Sequence, residues 1–161
     1  TVTANQLKTD LSIIKSVIKS NDKRRVILLQ KINNILSKRI KDKKIAILGV
    51  TFKPNTDDMR ESSSLKMIPF LSKKGAKINY YDPSGKKSEF SKLKNVNFCR
   101  NVYEACKKTD LIIIHTEWDE FKTIDFKKIS KNKKLKIYDM RNLYSSKKMK
   151  KLGFSYYSIG R

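Results

Sequence analysis

The chain has 161 residues, of which 39% are hydrophobic, so it is long enough for one ordinary packed domain with some additional structure. No apolar run is long enough to cross a bilayer and no signal peptide opens the sequence, so we expect a cytoplasmic protein with no membrane partner. The 38 Lys and Arg residues against 15 Asp and Glu give a net charge of +23, which suits either a nucleic-acid-binding module or a lysine-rich solvated surface. Because the lysines are spread over the whole chain and no aromatic–basic RNA motif is present, we favour the solvated surface and expect no nucleic-acid partner.

A long helix is predicted over residues 7–40. Apolar residues recur there at spacings of three and four, interrupted by a polar stretch at 21–25, and they are Leu7, Leu11, Ile14, Ile18, Leu29, Ile32 and Leu36. As one helix, this segment would be about 50 Å long at about 1.5 Å per residue, so part of it should pack on another domain or subunit. Two shorter helices with a turn near Asn21 and Asp22 are the alternative. Since the chain does not begin with Met, we also expect that Thr1 is not the natural start.

After Asp42 the pattern changes to short apolar runs that alternate with helical segments. The runs predict strands over 45–50, 77–81, 111–115, 135–138 and 154–158, and the segments between them predict helices over 62–74, 103–108, 126–130 and 145–152. This alternation indicates a Rossmann-like α/β fold, with a mostly parallel sheet, helices on both faces and a long α-helix before it. Ligands of such sheets bind beyond the carboxyl ends of the strands.

The first strand leads into a long loop that carries charged side chains. It has a single glycine, Gly49, and therefore lacks the glycine-rich fingerprint of a dinucleotide site. Lys53 and Arg60 can each pair with a phosphate, and the acidic residues of segment 57–61 can hold these cations in place. Ser62–Ser64 supplies N-cap candidates for the next helix. The alternative is a solvated loop with local ion pairs.

Two later strand ends also carry polar side chains. His115 follows the third strand, where a histidine with satisfied hydrogen bonds is more common than a catalytic one, and Trp118 and Phe121 should anchor the loop by packing. Arg141 follows the fourth strand beside Asp139, which suits either an anion contact or a structural Asp–Arg pair. No catalytic nucleophile or metal-ligand cluster is recognisable.

Several segments resemble the C-terminal part of the UDP-glucose and GDP-mannose dehydrogenase family. The first strand and its loop, IAILGVTFKPNTDDMRES at 45–62, are similar to the family's signature for this part. The other similar segments follow in the family's order, and they are Tyr80–Pro83, Tyr103–Cys106, Thr116–Phe121, Asp139–Asn142 and Ser158–Arg161, with Val17–Asn21 and Arg24–Arg25 resembling the end of the central dimerisation helix. The TEWDEF form of 116–121 points to the UDP-glucose branch of the family.

The resemblance implies an NAD-dependent oxidation of the C6 hydroxyl of UDP-glucose to the carboxylate of UDP-glucuronate, in two hydride transfers. In the family these pass through a thiohemiacetal and a thioester on a cysteine of a GxCFPKD segment, which would precede residue 1. Cys99 and Cys106 lie in other contexts, and we expect both to be reduced thiols. No catalytic residue is therefore expected in this chain, which alone should be inactive.

Site residues follow from the resemblance. Phe52, Lys53 and Arg141 match family residues that bind the UDP-sugar, and Arg60 matches an arginine that reaches NAD, which is bound mainly by an N-terminal domain. The implied organisation is a central helix over 1–40, through which a homodimer forms, and a UDP-sugar-binding Rossmann-like domain over 41–161. A GDP-mannose or UDP-N-acetylhexosamine 6-dehydrogenase fragment is the related alternative.

Overall fold

The segment after Asp42 forms six strands in a computed structural model, which describes residues 12–129 and 135–160. Five of these strands were predicted. All neighbouring strands in the sheet are parallel, in the order β3-β2-β1-β4-β5-β6. Their bounds are β1 (Lys44–Leu48), β2 (Lys77–Tyr81), β3 (Val96–Phe98), β4 (Leu111–Ile114), β5 (Lys136–Asp139) and β6 (Ser155–Ser158). Because the strand order reverses between β1 and β4, this point is the topological switch of a doubly wound sheet, where ligands bind.

Helices cover both faces of the sheet. They are α1 (Ser12–Ile35), α2 (Ser64–Lys73), α3 (Val102–Ala105), α4 (Phe126–Ile129) and α5 (Ser146–Lys151), with short 3-10 turns at Ser88–Phe90 and Asp119–Thr123. Successive side chains of β1 point to opposite faces of the sheet, so the strand contributes to a separate hydrophobic core on each face. Ile45 and Ile47 belong to the core beneath α1 and α2, whereas Ala46 and Leu48 belong to the opposite core. The predicted fold class, a parallel sheet with helices on both faces after a long helix, is confirmed.

Helix α1 runs through Asn21 and Asp22 without a turn, so the two-helix alternative is wrong for the described residues. The helix ends at Ile35, five residues earlier than predicted, because Ser37 and Lys38 adopt positive φ angles of 54° and 61°. The 24 residues described for this helix span about 36 Å. The predicted contributions of Leu7 and Leu11, and of the side chain of Ile18, lie outside the described residues.

The two ends of α1 differ in their packing. At the carboxyl end, Ile32 and Ile35 are buried in the core, and the Lys136 ammonium donates to the Ile35 carbonyl at 2.5 Å. Towards the amino end, the side chains of Ile14 and Val17 are about half exposed. The last turns of the helix are therefore part of the sheet's own core.

The short strand β3 was not predicted. It has three residues, none of them fully buried, so its apolar pattern is too short to indicate a strand. Most of the remaining strand and helix ends lie within one or two residues of the predicted ones. No helix in the described residues is long and apolar enough to cross a membrane.

Candidate functional site

The carboxyl ends of β1 and β4 approach each other closely at the switch point. Gly49, just after β1, has a φ of +76°, and a Cβ placed on it would lie 2.5 Å from the Cβ of Thr116. The Thr116 hydroxyl donates to the Thr51 carbonyl at 2.9 Å, which ties the two strand ends together. Only glycine fits at position 49, because both the backbone angle and the space exclude a side chain.

An open cavity of about 460 Å³ lies beyond this edge of the sheet. Its volume falls within the usual range for small-molecule sites. It is lined by residues from the loops after β1, β4 and β5, from α1, and from the turn after β6; they are Asn21, Leu28, Phe52, Glu61, Ser63, His115, Met140, Arg141 and Ile159. The cavity thus lies where the topology predicts a ligand.

Arg141 is held in the cavity wall by its Nε atom. This atom donates to the His115 carbonyl at 2.7 Å and lies 2.8 Å from Glu117 Oε2. Because Nε carries one hydrogen, directed at the carbonyl, the contact with Glu117 is an ion pair and not a second hydrogen bond. The two terminal nitrogens of the guanidinium make no hydrogen bond to any of the described residues. A cation with its free donors at a cavity is suited to an anionic ligand.

Asp139 holds the backbone of the same loop. Its carboxylate is fully buried and accepts hydrogen bonds from the Arg141 amide at 2.9 Å, the Tyr144 amide at 3.1 Å and the Tyr156 hydroxyl at 2.7 Å. It therefore fixes the turn that carries Arg141, while Glu117 provides the ion pair. The structural Asp–Arg side-chain pair, which was the alternative for Arg141, is not what the structure shows.

His115 is buried with both ring nitrogens in hydrogen-bond contact. Nδ1 lies 3.0 Å from the Thr116 hydroxyl and Nε2 lies 2.7 Å from the Ser63 hydroxyl. Burial and, secondarily, the nearby Arg141 guanidinium lower the pKa of His115 from 6.5 to about 4, so the ring is neutral near pH 7. The prediction of a histidine with satisfied hydrogen bonds at a strand end is confirmed.

The loop after β1 is anchored by Asp82 at the end of β2. The buried Asp82 carboxylate accepts from the Val50 amide at 2.7 Å and the Thr51 amide at 3.2 Å. The hydroxyls of Ser62 and Ser64 both donate to the Val50 carbonyl. Ser63 occupies the N-cap position of α2 but makes no side-chain cap bond, whereas the Ser62 hydroxyl accepts from the Ser64 amide at 3.3 Å. Of the serine run, Ser62 therefore supplies a side-chain acceptor at the start of the helix.

The predicted ligand-binding residues of this loop separate into two groups. Phe52 is half exposed and lines the cavity, together with Arg141. Lys53 and Arg60 are exposed and do not line it. Arg60 instead pairs with Asp58 through two nitrogens at 2.9 and 3.0 Å, and this contact lowers the pKa of Asp58 to about 2. The expectation that acidic residues hold the cations of the loop is confirmed for Asp58 and Arg60.

The neighbouring aromatic and sulfur-containing residues have packing roles. Phe121 is fully buried and Trp118 packs against the same core, as predicted. Cys99 and Cys106 are both buried free thiols, and burial raises the pKa of Cys99 to about 11 and raises that of Cys106 further. Thiols with raised pKa values are poor nucleophiles. No group of three or more possible metal ligands occurs in residues 12–129 and 135–160.

Three residues of the site were not selected from the sequence: Ser63, Asp82 and Glu117. Asp82 could have been found, because it is an acidic residue directly after a strand at the sheet edge that binds ligands. Glu117 lies two residues after His115, but its pairing with Arg141 depends on the order of β4 and β5 in the sheet. The contact between Ser63 and His115 joins residues 52 positions apart and has no signal in a single sequence.

Comparison with known proteins places these observations in a family. Residues 46–146 match the model of the UDP-glucose/GDP-mannose dehydrogenase family, UDP binding domain. The chain is 36% identical over 160 residues to the UDP-glucose 6-dehydrogenase of Rhizobium meliloti and 40% identical over 156 residues to that of Rickettsia prowazekii. These matches cover 99% and 95% of the chain but only 37% and 36% of the two relatives. The chain therefore spans about a third of the length of the relatives it matches.

Solved structures give the same picture of the fold. A UDP-D-ManNAc dehydrogenase from Pyrococcus horikoshii matches 98% of the chain and 36% of its own, with a TM-score of 0.78 and 25% identity. A UDP-glucose dehydrogenase from Pyrobaculum islandicum matches 98% of the chain and 34% of its own, with a TM-score of 0.75 and 22% identity.

Proposed function

The chain belongs to the UDP-glucose/GDP-mannose dehydrogenase family, and from that premise we propose that it is the UDP-sugar-binding part of an NAD-dependent UDP-glucose 6-dehydrogenase. UDP-glucose and its product UDP-glucuronate are the ligands of the cavity. The names of the similar proteins support UDP-glucose over GDP-mannose and over UDP-N-acetylhexosamines.

The observation that carries the proposal is the geometry of Arg141. Its Nε atom is fixed by the His115 carbonyl and Glu117, its terminal nitrogens have no hydrogen-bond partner in the described residues, and the residue lines the cavity. UDP carries two phosphates, and a guanidinium whose orientation is set before binding can receive a phosphate with little loss of side-chain freedom. Arg141 is therefore the principal anion contact of this part of the protein.

The loop after β1 supplies the other proposed contacts. Phe52, at the cavity, offers an aromatic face to the nucleotide, and Lys53, beside it in the sequence, is long enough to add a second cation once a ligand is present. Arg60 points to solvent and is 90% exposed, which suits contact with NAD bound on another domain. Closure of two domains over the ligand would bring such a side chain to its partner.

The complete reaction is proposed for a longer protein. There, the oxidised carbon is the C6 hydroxyl carbon of the bound glucose, two NAD molecules accept the two hydrides, and the catalytic cysteine and the NAD fingerprint lie on the other domain. We propose that residues 1–40 form the central segment of a cytoplasmic homodimer, with α1 as its helix, and that residues 41–161 form the nucleotide-sugar domain. The half-exposed Ile14 and Val17 on α1 support a contact with another chain or domain.

Titration calorimetry of the chain with UDP tests the site. Wild-type chain should bind UDP, and Arg141→Ala should weaken the affinity about tenfold or more, the usual effect of losing a hydrogen bond to a charged group. Arg39→Ala is the matched control, because Arg39 is an exposed arginine before β1, at the opposite edge of the sheet. Equal affinities of the two variants for UDP would contradict the assignment of Arg141.

A competition measurement tests the ligand class. UDP and UDP-glucose should displace a fluorescent UDP probe at lower concentration than GDP does. A duplex oligonucleotide should displace it only at low ionic strength, because binding to an evenly distributed positive surface is screened by salt. Tighter binding of GDP than of UDP would favour the GDP-mannose alternative.

A further inference from the structure

Ser63 and His115 form a hydrogen-bond chain at the wall of the cavity. The Ser63 Oγ atom lies 2.7 Å from His115 Nε2, and both residues line the cavity. The series of hydrogen bonds continues from His115 Nδ1 to the Thr116 hydroxyl at 3.0 Å, and from there to the Thr51 carbonyl at 2.9 Å. These hydrogen bonds thus connect the cavity surface to the backbone of the loop after β1.

The hydrogen bond between Thr116 and the Thr51 carbonyl determines which atom donates and which accepts in the other hydrogen bonds of the series. A carbonyl oxygen can only accept, so the single Thr116 hydroxyl hydrogen is donated to Thr51. The Thr116 oxygen must then accept from His115 Nδ1, which therefore carries the ring hydrogen. In the neutral ring Nε2 has no hydrogen, so it accepts the hydroxyl hydrogen of Ser63. The Ser63 hydrogen is thus directed away from a ligand, and its oxygen lone pairs remain available.

A serine donating to a histidine also resembles the nucleophile and base of a hydrolase. Two observations oppose that interpretation here. The partner of Nδ1 is the Thr116 hydroxyl and not a carboxylate, and the Arg141 guanidinium lies close enough to disfavour a protonated ring. A ring whose pKa is lowered to about 4 is a weak base and activates a serine poorly. The pair is therefore a fixed hydrogen bond with a defined polarity.

We propose that Ser63 Oγ is a hydrogen-bond acceptor that recognises a hydroxyl group of the bound nucleotide sugar, on either the ribose or the hexose. This deepens the proposed function and rests on it. The cavity then contains two opposite kinds of recognition: Arg141 can only donate and selects acceptors such as phosphate oxygens, whereas Ser63 accepts and selects a donor. A site that accepts a hydrogen bond from a ligand hydroxyl discriminates against an analogue lacking it, since the part-buried Ser63 oxygen would lose that donor.

The proposal that the ligand donates and the protein accepts this hydrogen bond can be tested with the wild-type chain, by changing only the ligand. Calorimetry would compare UDP with its 2′-deoxy, 3′-deoxy and corresponding 2′- and 3′-fluoro analogues, and UDP-glucose with its deoxy- and deoxyfluoro-hexose analogues. Fluorine can accept but cannot donate. At one position of the ligand, both the deoxy and the fluoro analogue should bind about tenfold more weakly than the hydroxyl compound. Full recovery of affinity with fluorine at that position would show that the protein donates there, and would overturn the proposal.

A protein variant then locates the effect at Ser63. Ser63→Ala should weaken binding of the parent ligand about tenfold and should bind the hydroxyl and deoxy compounds equally well. Ser88→Ala, an exposed serine in a 3-10 turn, is the control and should keep the wild-type preference. If Ser63→Ala weakens binding of all ligands by one common factor, the serine has a structural role and the inference is wrong.

The two proposals fail in distinguishable ways. If wild-type chain binds neither UDP nor UDP-glucose, the proposed function fails. If it binds them, and each deoxy analogue binds as tightly as its parent, the proposed function stands and the role of Ser63 is rejected.

Discussion

The two sides of the cavity differ in how their side chains are held. On the β4–β5 side, which we define as His115, Glu117 and Arg141, the guanidinium contacts Glu117 and the His115 carbonyl at 2.7 to 2.8 Å. The His115 ring is held at 2.7 to 3.0 Å by two hydroxyls, those of Thr116 and of Ser63 on the facing loop. On the β1 loop, which we define as residues 50–63, the backbone is anchored at its two ends but the charged side chains between them are exposed. Asn55 and Glu61 in this loop also have positive φ angles of 58° and 60°.

This difference separates two kinds of ligand contact. The β4–β5 side presents a guanidinium whose position is set before any ligand arrives, so binding there costs little side-chain entropy. The cations of the β1 loop have solvent or Asp58 as their partner, and they must reorient to reach a ligand. We therefore expect affinity of this chain for UDP to depend mainly on the β4–β5 side, and the β1 loop to act mainly when another domain closes on it.

Gly49, where the two sides of the cavity meet, should be the position at which a substitution lowers the stability of the fold most. In Gly49→Ala, the new Cβ would meet the Thr116 Cβ at 2.5 Å and the residue would keep a φ of +76°, so overpacking and backbone strain add. We expect a loss of about 4 kcal/mol in the free energy of unfolding, measured by urea denaturation. The control is Gly85→Ala, where the added Cβ meets nothing within 4 Å although φ is also positive. Equal losses in both variants would show that the contact with Thr116 is not what demands glycine.

Removing the anchor of the β1 loop should have the next largest effect. Asp82→Ala leaves the buried amides of Val50 and Thr51 without their acceptor, which should cost about 3 kcal/mol of unfolding free energy. Binding of UDP should weaken less than in Arg141→Ala, because Arg141 is held by other residues. Asp119→Ala, at a carboxylate that is 83% exposed, is the control and should leave both quantities unchanged. If Asp82→Ala lowers the affinity for UDP more than Arg141→Ala does, the β1 loop contributes more to UDP binding than the β4–β5 side.

Sequence reasoning was more successful for the fold than for the side-chain arrangement of the site. The strands that are buried on both faces, such as Leu111–Ile114, were predicted from continuous apolar runs, whereas the three-residue β3 is only partly buried and has no such run. Phe52 and Arg141 were both named through the family resemblance, Arg141 also because it follows a buried strand, and both line the cavity. The contacts of Ser63 with His115 and of Glu117 with Arg141 depend on which strands are neighbours, and this information is not contained in local spacing.

A pH titration of stability should report the buried His115 directly. The folded-state pKa of about 4 lies below the ordinary value of 6.5, so between these values the unfolded chain binds a proton that the folded chain does not. The free energy of unfolding should therefore fall as the pH is lowered, by about 1.5 kcal/mol between pH 6.5 and 5, and the contribution should become constant above about pH 7.5. His115 is the only histidine, so His115→Asn should remove most of this slope. A slope unchanged in His115→Asn would assign the proton uptake to other groups.

The ion pair between Arg60 and Asp58 should contribute least. Both groups are at the surface, and exposed pairs are screened by water and salt, so Asp58→Ala and Arg60→Ala should leave the urea midpoint of this chain unchanged. Affinity for UDP should change by less than about twofold, because neither residue lines the cavity. In a full-length enzyme, Arg60→Ala should instead raise the KM for NAD while leaving the KM for UDP-glucose nearly unchanged. A large loss of UDP affinity in Arg60→Ala would move this arginine from the proposed NAD contact to the sugar-nucleotide site, and the β1 loop would then be as fully formed before binding as the β4–β5 side.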